Sequence, residues 1–178
     1  MVILYYIAVK LYGLAILFAA IFNGKARQWV QGRIGWKTHI KNALRPGESR
    51  ILFHCASLGE FEQGKPVLEA IRKNYPQYKI VLTFFSPSGY EIRKNDALAD
   101  YVFYLPLDGP FNSKKFIELV NPVMTFFVKY DFWHFYLKEL KNRKTPIYFV
   151  SSIFRPTQIF FQPLMSFFDK MLRRVTHF

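Results

Sequence analysis

Ile51-Leu-Phe-His-Cys-Ala-Ser-Leu-Gly-Glu60 is an apolar run that ends in a turn of small residues and delivers a carboxylate to the start of a helix. Arg50–Cys55 reads as a buried strand and Ala56–Gly59 as the turn. The helix that follows, Glu60–Asn74, carries Val67, Leu68 and Ile71 at helical spacing. The alternation then repeats. Further strands are expected at Lys79–Phe84, Tyr101–Tyr104, Val123–Val128 and Ile147–Val150, and further helices at Gly89–Asn95, Ser113–Val120, Phe132–Lys141 and Ile159–Arg173. Short apolar strands separated by helices predict an α/β domain, a doubly wound parallel sheet covered on both faces. Ligands of such sheets bind beyond the C-terminal ends of the strands, where Glu60 falls.

Upstream of this domain the chain changes character. Val2 to Phe22 is broken only by Lys10 and Gly13, and at 1.5 Å per residue it is long enough to cross roughly 30 Å of hydrocarbon. No basic residue precedes it and no small-x-small cleavage site follows, so it reads as an uncleaved membrane anchor, residues 1–22. A helix lying in the interface with Lys10 snorkelling is the competing geometry. Residues 23–47 form a basic juxtamembrane segment with a helix at Ala26–Leu44 ended by Arg45-Pro-Gly47, and residues 48–178 form the α/β domain. No internal repeat divides it. The last residues, Lys170 to Phe178, read as a helix running into another strand, whose unpaired edge suggests a further domain beyond.

The formal net charge of +13 is concentrated at the two ends. Asn23 to Arg50 carries seven Lys/Arg against Glu48, Lys138 to Phe178 carries eight against Glu139 and Asp169, and the stretch between them is balanced. A basic block directly after an apolar segment places that side in the cytoplasm and attracts anionic lipid headgroups. The pattern disfavours nucleic acid, since no ribonucleoprotein signature, zinc finger or helix-turn-helix pattern is present. Cys55, the single cysteine, reads as a small core residue of a protein in a reducing compartment. His39, His54, His134 and His177 show no metal-ligand spacing, so no metal or other cofactor is expected. Dinucleotide, Walker A and nucleophile-elbow motifs are absent too.

Four loops share the expected C-terminal rim. Ser57-Leu-Gly-Glu60 matches a helix-capping box, yet Gly59 would also let a substrate approach while Glu60 accepts a proton from a hydroxyl nucleophile. A base needs only its deprotonated form, so no raised pKa is required of Glu60. Phe85-Ser-Pro-Ser-Gly-Tyr-Glu91 repeats the capping pattern at Ser88–Glu91 and offers Ser86, Ser88 and Gly89 to sugar hydroxyls or a phosphate. Asp131, expected in a first helical turn, suits the helix dipole, and Lys129 just past a strand suits an anionic substrate group. Arg155 stands with Ser151 and Ser152 on the fourth loop.

In order and spacing, His54-Cys-Ala-Ser-Leu-Gly-Glu60 with Lys65-Pro66, Thr83-Phe-Phe-Ser-Pro-Ser-Gly-Tyr-Glu91, Tyr104-Leu-Pro-Leu-Asp108 and Tyr130-Asp-Phe-Trp133 resemble the N-terminal, acceptor-side half of 3-deoxy-D-manno-octulosonic acid (Kdo) transferase. The resemblance covers essentially the whole chain, anchor and basic helix included. It implies a membrane-associated glycosyltransferase of GT-B fold, with two Rossmann-like domains facing a cleft, that moves Kdo from CMP-Kdo to a hydroxyl of the lipid A precursor with inversion and no nucleotide-binding metal. The family's proposed base falls on Glu60. Two departures stand out. Lys129-Tyr-Asp131 replaces the usual Glu-Thr-Glu, and Ser151 to Arg155 replaces Asn-Ala-Arg-Leu-Ser, so Arg155 could substitute for the missing arginine only from a shifted position. The donor-side domain lies outside this chain, which is expected to be inactive alone. A membrane-tethered glycolipid-binding module and a transferase of the same fold with another donor remain as rival readings.

Overall fold

The computed structural model describes residues 1–152 and 166–178. Three helices, α1 (Val2–Ala19), α2 (Gly24–Gln31) and α3 (Trp36–Ala43), precede β1 (Arg50–Cys55) and α4 (Leu58–Asn74). The chain continues through β2 (Lys79–Phe84), α5 (Pro87–Arg93), β3 (Tyr101–Tyr104), α6 (Pro110–Val120), β4 (Pro122–Val128), α7 (His134–Asn142), β5 (Ile147–Val150) and α8 (Ser166–Leu172). All pairings are parallel and the strand order is β3-β2-β1-β4-β5. The α/β expectation therefore holds, and the strands match their predicted bounds except that β4 starts one residue earlier, at Pro122. Arg155 and the expected helix start at Ile159 lie outside the described residues.

Alternation along β1 divides the core into two layers. Ile51, Phe53 and Cys55 face α4, where they meet Phe61, Leu68 and Ile71, while Leu52 faces a layer that includes Phe116 and Ile117 of α6 and Leu137 and Leu140 of α7. Helix α4 lies close on the sheet at Gly64, where an added Cβ would stand 2.7 Å from Val128 Cγ2. From β3 the chain returns to the other side of β1, so β1 and β4 flank the point at which the winding direction reverses. Their C-terminal ends open the crevice in which sheets of this type hold ligands.

The single helix expected over Ala26–Leu44 is two helices. Gly32 must sit against the Tyr104 ring, 2.2 Å from where a Cβ would stand, and Gly35 turns the chain in the left-handed region at φ +65°. Between them Arg33 turns inward. Its guanidinium lies 3.8 Å from the Trp29 ring centroid and donates to the carbonyls of Leu105, Trp29 and Phe85, and burial lowers its pKa to about 9. Arg50 is buried too, donating to the carbonyls of Val120 and Arg45 and pairing with Glu48. Two of the seven cations in the basic block are thus internal braces. Lys25, Arg27, Lys37, Lys41 and Arg45 remain exposed.

Helix α1 lies against the domain through one stripe. Tyr5 donates to Asp108 at 2.7 Å, Val9 and Gly13 are buried, and Tyr12 packs on Trp29 and Phe85. The remaining faces carry Ile3, Leu4, Ile7, Leu11, Leu14, Leu17 and Phe18, all exposed. At the chain end, where the sequence reads as the start of another strand, His177 forms an isolated parallel bridge with Tyr148.

Candidate functional site

Two turns meet at the reversal point, one after β1 and one after β4. After Cys55 the backbone extends through Ser57, and α4 begins at Leu58, which puts Glu60 at the third helical position. Its carboxylate folds back and accepts from Ala56 N at 2.5 Å. The expected capping box does not form: Glu60 reaches past the N-cap residue Ser57 to the residue before it, and Ser57 contributes no side-chain cap and stays on the rim, half-buried. Gly59 is exposed and nothing stands within 4 Å of where a Cβ would be. Neither φ nor packing requires glycine there, so open space beside Glu60 is its structural consequence.

After β4 the chain enters Lys129 in the left-handed region, at φ +63°, a conformation rare for a residue with a side chain. The turn is pinned by Lys129 N donating to Val150 O at 2.9 Å and by Ser152 Oγ donating to Lys129 O. It brings Asp131 over the end of β1, where Asp131 Oδ2 lies 3.0 Å from His54 Nε2. The dipole role expected for Asp131 is overturned, because α7 begins at His134, after Asp131 has turned away from it. The carboxylate at the start of α7 is Asp108, which accepts from Phe135 N at 3.0 Å and Tyr136 N at 3.2 Å, and also from Ser113 Oγ and Tyr5 Oη. Burial raises its pKa against the pull of these four bonds.

The electrostatics single out Glu60. Its pKa is raised first by burial and then by the Asp131 charge, against the Ala56 N–H, His54 and Lys129, which lower it. A raised value is thus a property of the site that the sequence reading did not require. It moves the carboxylate toward the range in which a general base works best near neutral pH. Cys55 beneath is pushed well up by burial and by the same two carboxylates, so it remains a thiol.

The second rim loop is built differently. Pro87 occupies the first turn of α5 and Ser86 is its N-cap residue, so the expected capping box at Ser88–Glu91 does not form. Ser86 Oγ and Ser88 Oγ lie 2.6 Å apart at the surface, available to a ligand. Gly89 is not: it is buried, and an added Cβ would come within 2.2 Å of Phe84 Cδ1, so its glycine serves packing rather than ligand contact. Glu91 turns away to Tyr104 Oη at 3.2 Å and Lys94 Nζ at 3.0 Å. The two loops are tied by Ser86 N donating to Ala56 O at 2.7 Å, and Phe85 packs on Trp133 at 4.9 Å between centroids.

The rim thus joins Glu60, Asp131, Lys129, Ser57 and the open face at Gly59, with Ser86 and Ser88 one loop away. Sequence reasoning missed His54 and Asp108. The signal for His54 was a histidine inside an otherwise apolar strand, and for Asp108 an aspartate just before Gly109-Pro110, but the partners of both are distant in the chain. Among the described residues no group of three or more His, Cys, Asp or Glu is placed to hold a metal ion.

Comparison with known proteins gives this arrangement a context. Residues 28–178 match the family described as 3-deoxy-D-manno-octulosonic-acid transferase (kdotransferase). The 3-deoxy-D-manno-octulosonic acid transferase of Haemophilus influenzae is 33% identical over 129 residues, 71% of this chain and 29% of that protein. That of Aquifex aeolicus is 35% identical over 94 residues, 52% of this chain and 26% of the relative. The Chlamydophila psittaci protein of the same name is 30% identical over 130 residues, 71% of this chain and 29% of its own. The chain spans less than a third of the length of these curated relatives.

Proposed function

Because this chain belongs to the 3-deoxy-D-manno-octulosonic-acid transferase family, we propose that it is the acceptor-side domain of an inverting Kdo transferase of lipopolysaccharide synthesis, with Glu60 as the base. Glu60 takes the proton of a hydroxyl on the lipid A precursor as that oxygen attacks the anomeric carbon of Kdo, and CMP leaves with the electrons of the broken bond. One displacement inverts the centre. Gly59 leaves room for the acceptor sugar, and Ser57, Ser86 and Ser88 offer hydroxyls to it. Lys129 meets the acceptor's anionic groups, a role also assigned to Arg155 from its place in the sequence, while Asp131 holds Glu60 in a field that favours its proton. The observation that carries the reading is the pairing at the reversal point: a carboxylate of raised pKa beside a glycine that nothing in the fold requires.

The CMP-Kdo donor is bound by a second, donor-side domain, and transfer requires both domains. The acceptor-side domain works on the cytoplasmic face of the inner membrane. Helix α1 touches the domain at both Tyr5 and Gly13, so while docked it lies along the protein surface, and its other faces enter the lipid parallel to the bilayer. Exposed Lys25 and Arg27 beside it meet anionic headgroups.

The test is transfer from CMP-Kdo to a lipid A precursor by the protein joined to its donor-side domain, against the chain alone and against nucleotide-diphosphate sugars. Kdo transfer only by the joined form supports the proposal. Acceptor binding without transfer by either form would instead make this a glycolipid-binding module, and transfer of another sugar would make it a transferase of the same fold with a different donor.

A further inference from the structure

His54 is fully buried at the centre of the sheet, where an aromatic hydrocarbon would pack with no polar atom to satisfy. Its surroundings explain the imidazole. Nδ1 lies 2.9 Å from Oγ1 of Thr83, its register partner on β2 and itself buried. On the other side Phe127, its register partner on β4, meets the ring edge-on at 5.6 Å. These two neighbours fix the ring plane, and Nε2 is thereby aimed out of the sheet end at Asp131 Oδ2, 3.0 Å away. The contact is within ion-pair reach but not aligned as a hydrogen bond.

Asp131 needs such a partner. It stands on a turn with no helix beneath it, entered through a strained residue, and its charge is repelled by Glu60. We propose that His54 is a positioning residue for the transfer reaction: clamped by Thr83 inside the sheet, it holds Asp131 at the edge of the crevice so that Glu60 keeps its place and its electrostatic surroundings. The inference rests on the reading of Glu60 as the base. His54 touches no substrate. The charged and titratable groups that act on Glu60 are Asp131 and Lys129 from the turn after β4 and His54 from β1, with Cys55 below.

Two readouts separate this role from packing and from the base assignment. The first is the titration of Glu60 in the 178-residue chain, followed by carboxyl carbon NMR, and the second is the pH profile of kcat/KM in the protein joined to its donor-side domain. His54→Gln keeps a side-chain N–H but loses the ring, and His54→Phe keeps a ring but loses the N–H. Each frees Asp131 to swing away from Glu60 under their mutual repulsion, and so is expected to lower the Glu60 midpoint, to move the acidic limb of kcat/KM downward with it, and to lower kcat about 10-fold with KM little changed. Asp131→Asn is expected to lower the midpoint, and in that background His54→Gln should have much less effect on kcat. A Glu60 midpoint unchanged in His54→Gln, or effects of His54 and Asp131 that simply add, would overturn the proposal. A midpoint that shifts as expected with an unmoved kcat/KM profile would uphold the His54–Asp131 coupling and reject Glu60 as the base. Should His54→Phe fail to fold, His54→Gln and Asp131→Asn decide between these outcomes.

Discussion

Ser57-Leu-Gly-Glu60 and Ser88-Gly-Tyr-Glu91 carry the same capping pattern after neighbouring strands of one sheet, yet they are used in opposite ways. In the first turn the serine caps nothing, the glycine faces open space, and the carboxylate stays at the crevice under the influence of Asp131. In the second the glycine is packed on Phe84 and the carboxylate is spent on Tyr104 and Lys94. The difference teaches that a capping pattern marks a helix start without revealing what its carboxylate is for. The surroundings of the glycine distinguish the two. A glycine that the fold requires is structural, and one that it does not require leaves room for something else.

The comparison breaks first at Gly89. Gly89→Ala forces a methyl into the ring of Phe84, which is itself fully buried and cannot retreat, so thermal or denaturant unfolding should show a loss of about 1–3 kcal/mol. Gly59→Ala should act in the opposite sense. The methyl enters open space and the unfolded chain loses freedom, so the fold gains about 0.4–1 kcal/mol while transfer falls. A Gly59→Ala enzyme with full activity would remove the acceptor from that face.

A pH series sharpens the contrast. Glu60 has its folded pKa raised above the usual 4.5, so the folded state holds the proton more tightly than the unfolded one. Stability is therefore lost as pH rises from about 4.5 through the raised value. Glu60→Gln should flatten that slope, measured as unfolding free energy against pH. The smallest effect belongs to Glu91→Gln. It weakens a half-exposed pair with Lys94, costing at most about 0.5 kcal/mol, and should leave transfer within about 2-fold of wild type.

The strands were legible because each is a short, mostly apolar run whose neighbours are turns, and such runs have few alternatives once a parallel sheet is assumed. The meeting of Glu60 with Asp131 and Lys129 followed from placing strand ends on one rim. What escaped the sequence depends on contacts between distant segments. Arg33 looks like one more lipid-facing cation until Phe85, Leu105 and Trp29 supply it with carbonyls. Asp131 looks like a helix-start residue until Asp108, 27 positions before Phe135, takes that place. His54 looks like a core residue until the turn after β4 delivers a carboxylate to it.

The central claim is that Glu60 accepts the proton of the attacking hydroxyl, and Glu60→Gln tests it most directly. The measurement is kcat for Kdo transfer to a lipid A precursor by the protein joined to its donor-side domain, with unfolding followed in parallel. The account predicts a fall of about 10²–10⁴-fold with the fold intact, since glutamine can still accept from Ala56 N but cannot take a proton. Transfer at the wild-type rate by a folded Glu60→Gln enzyme would contradict it.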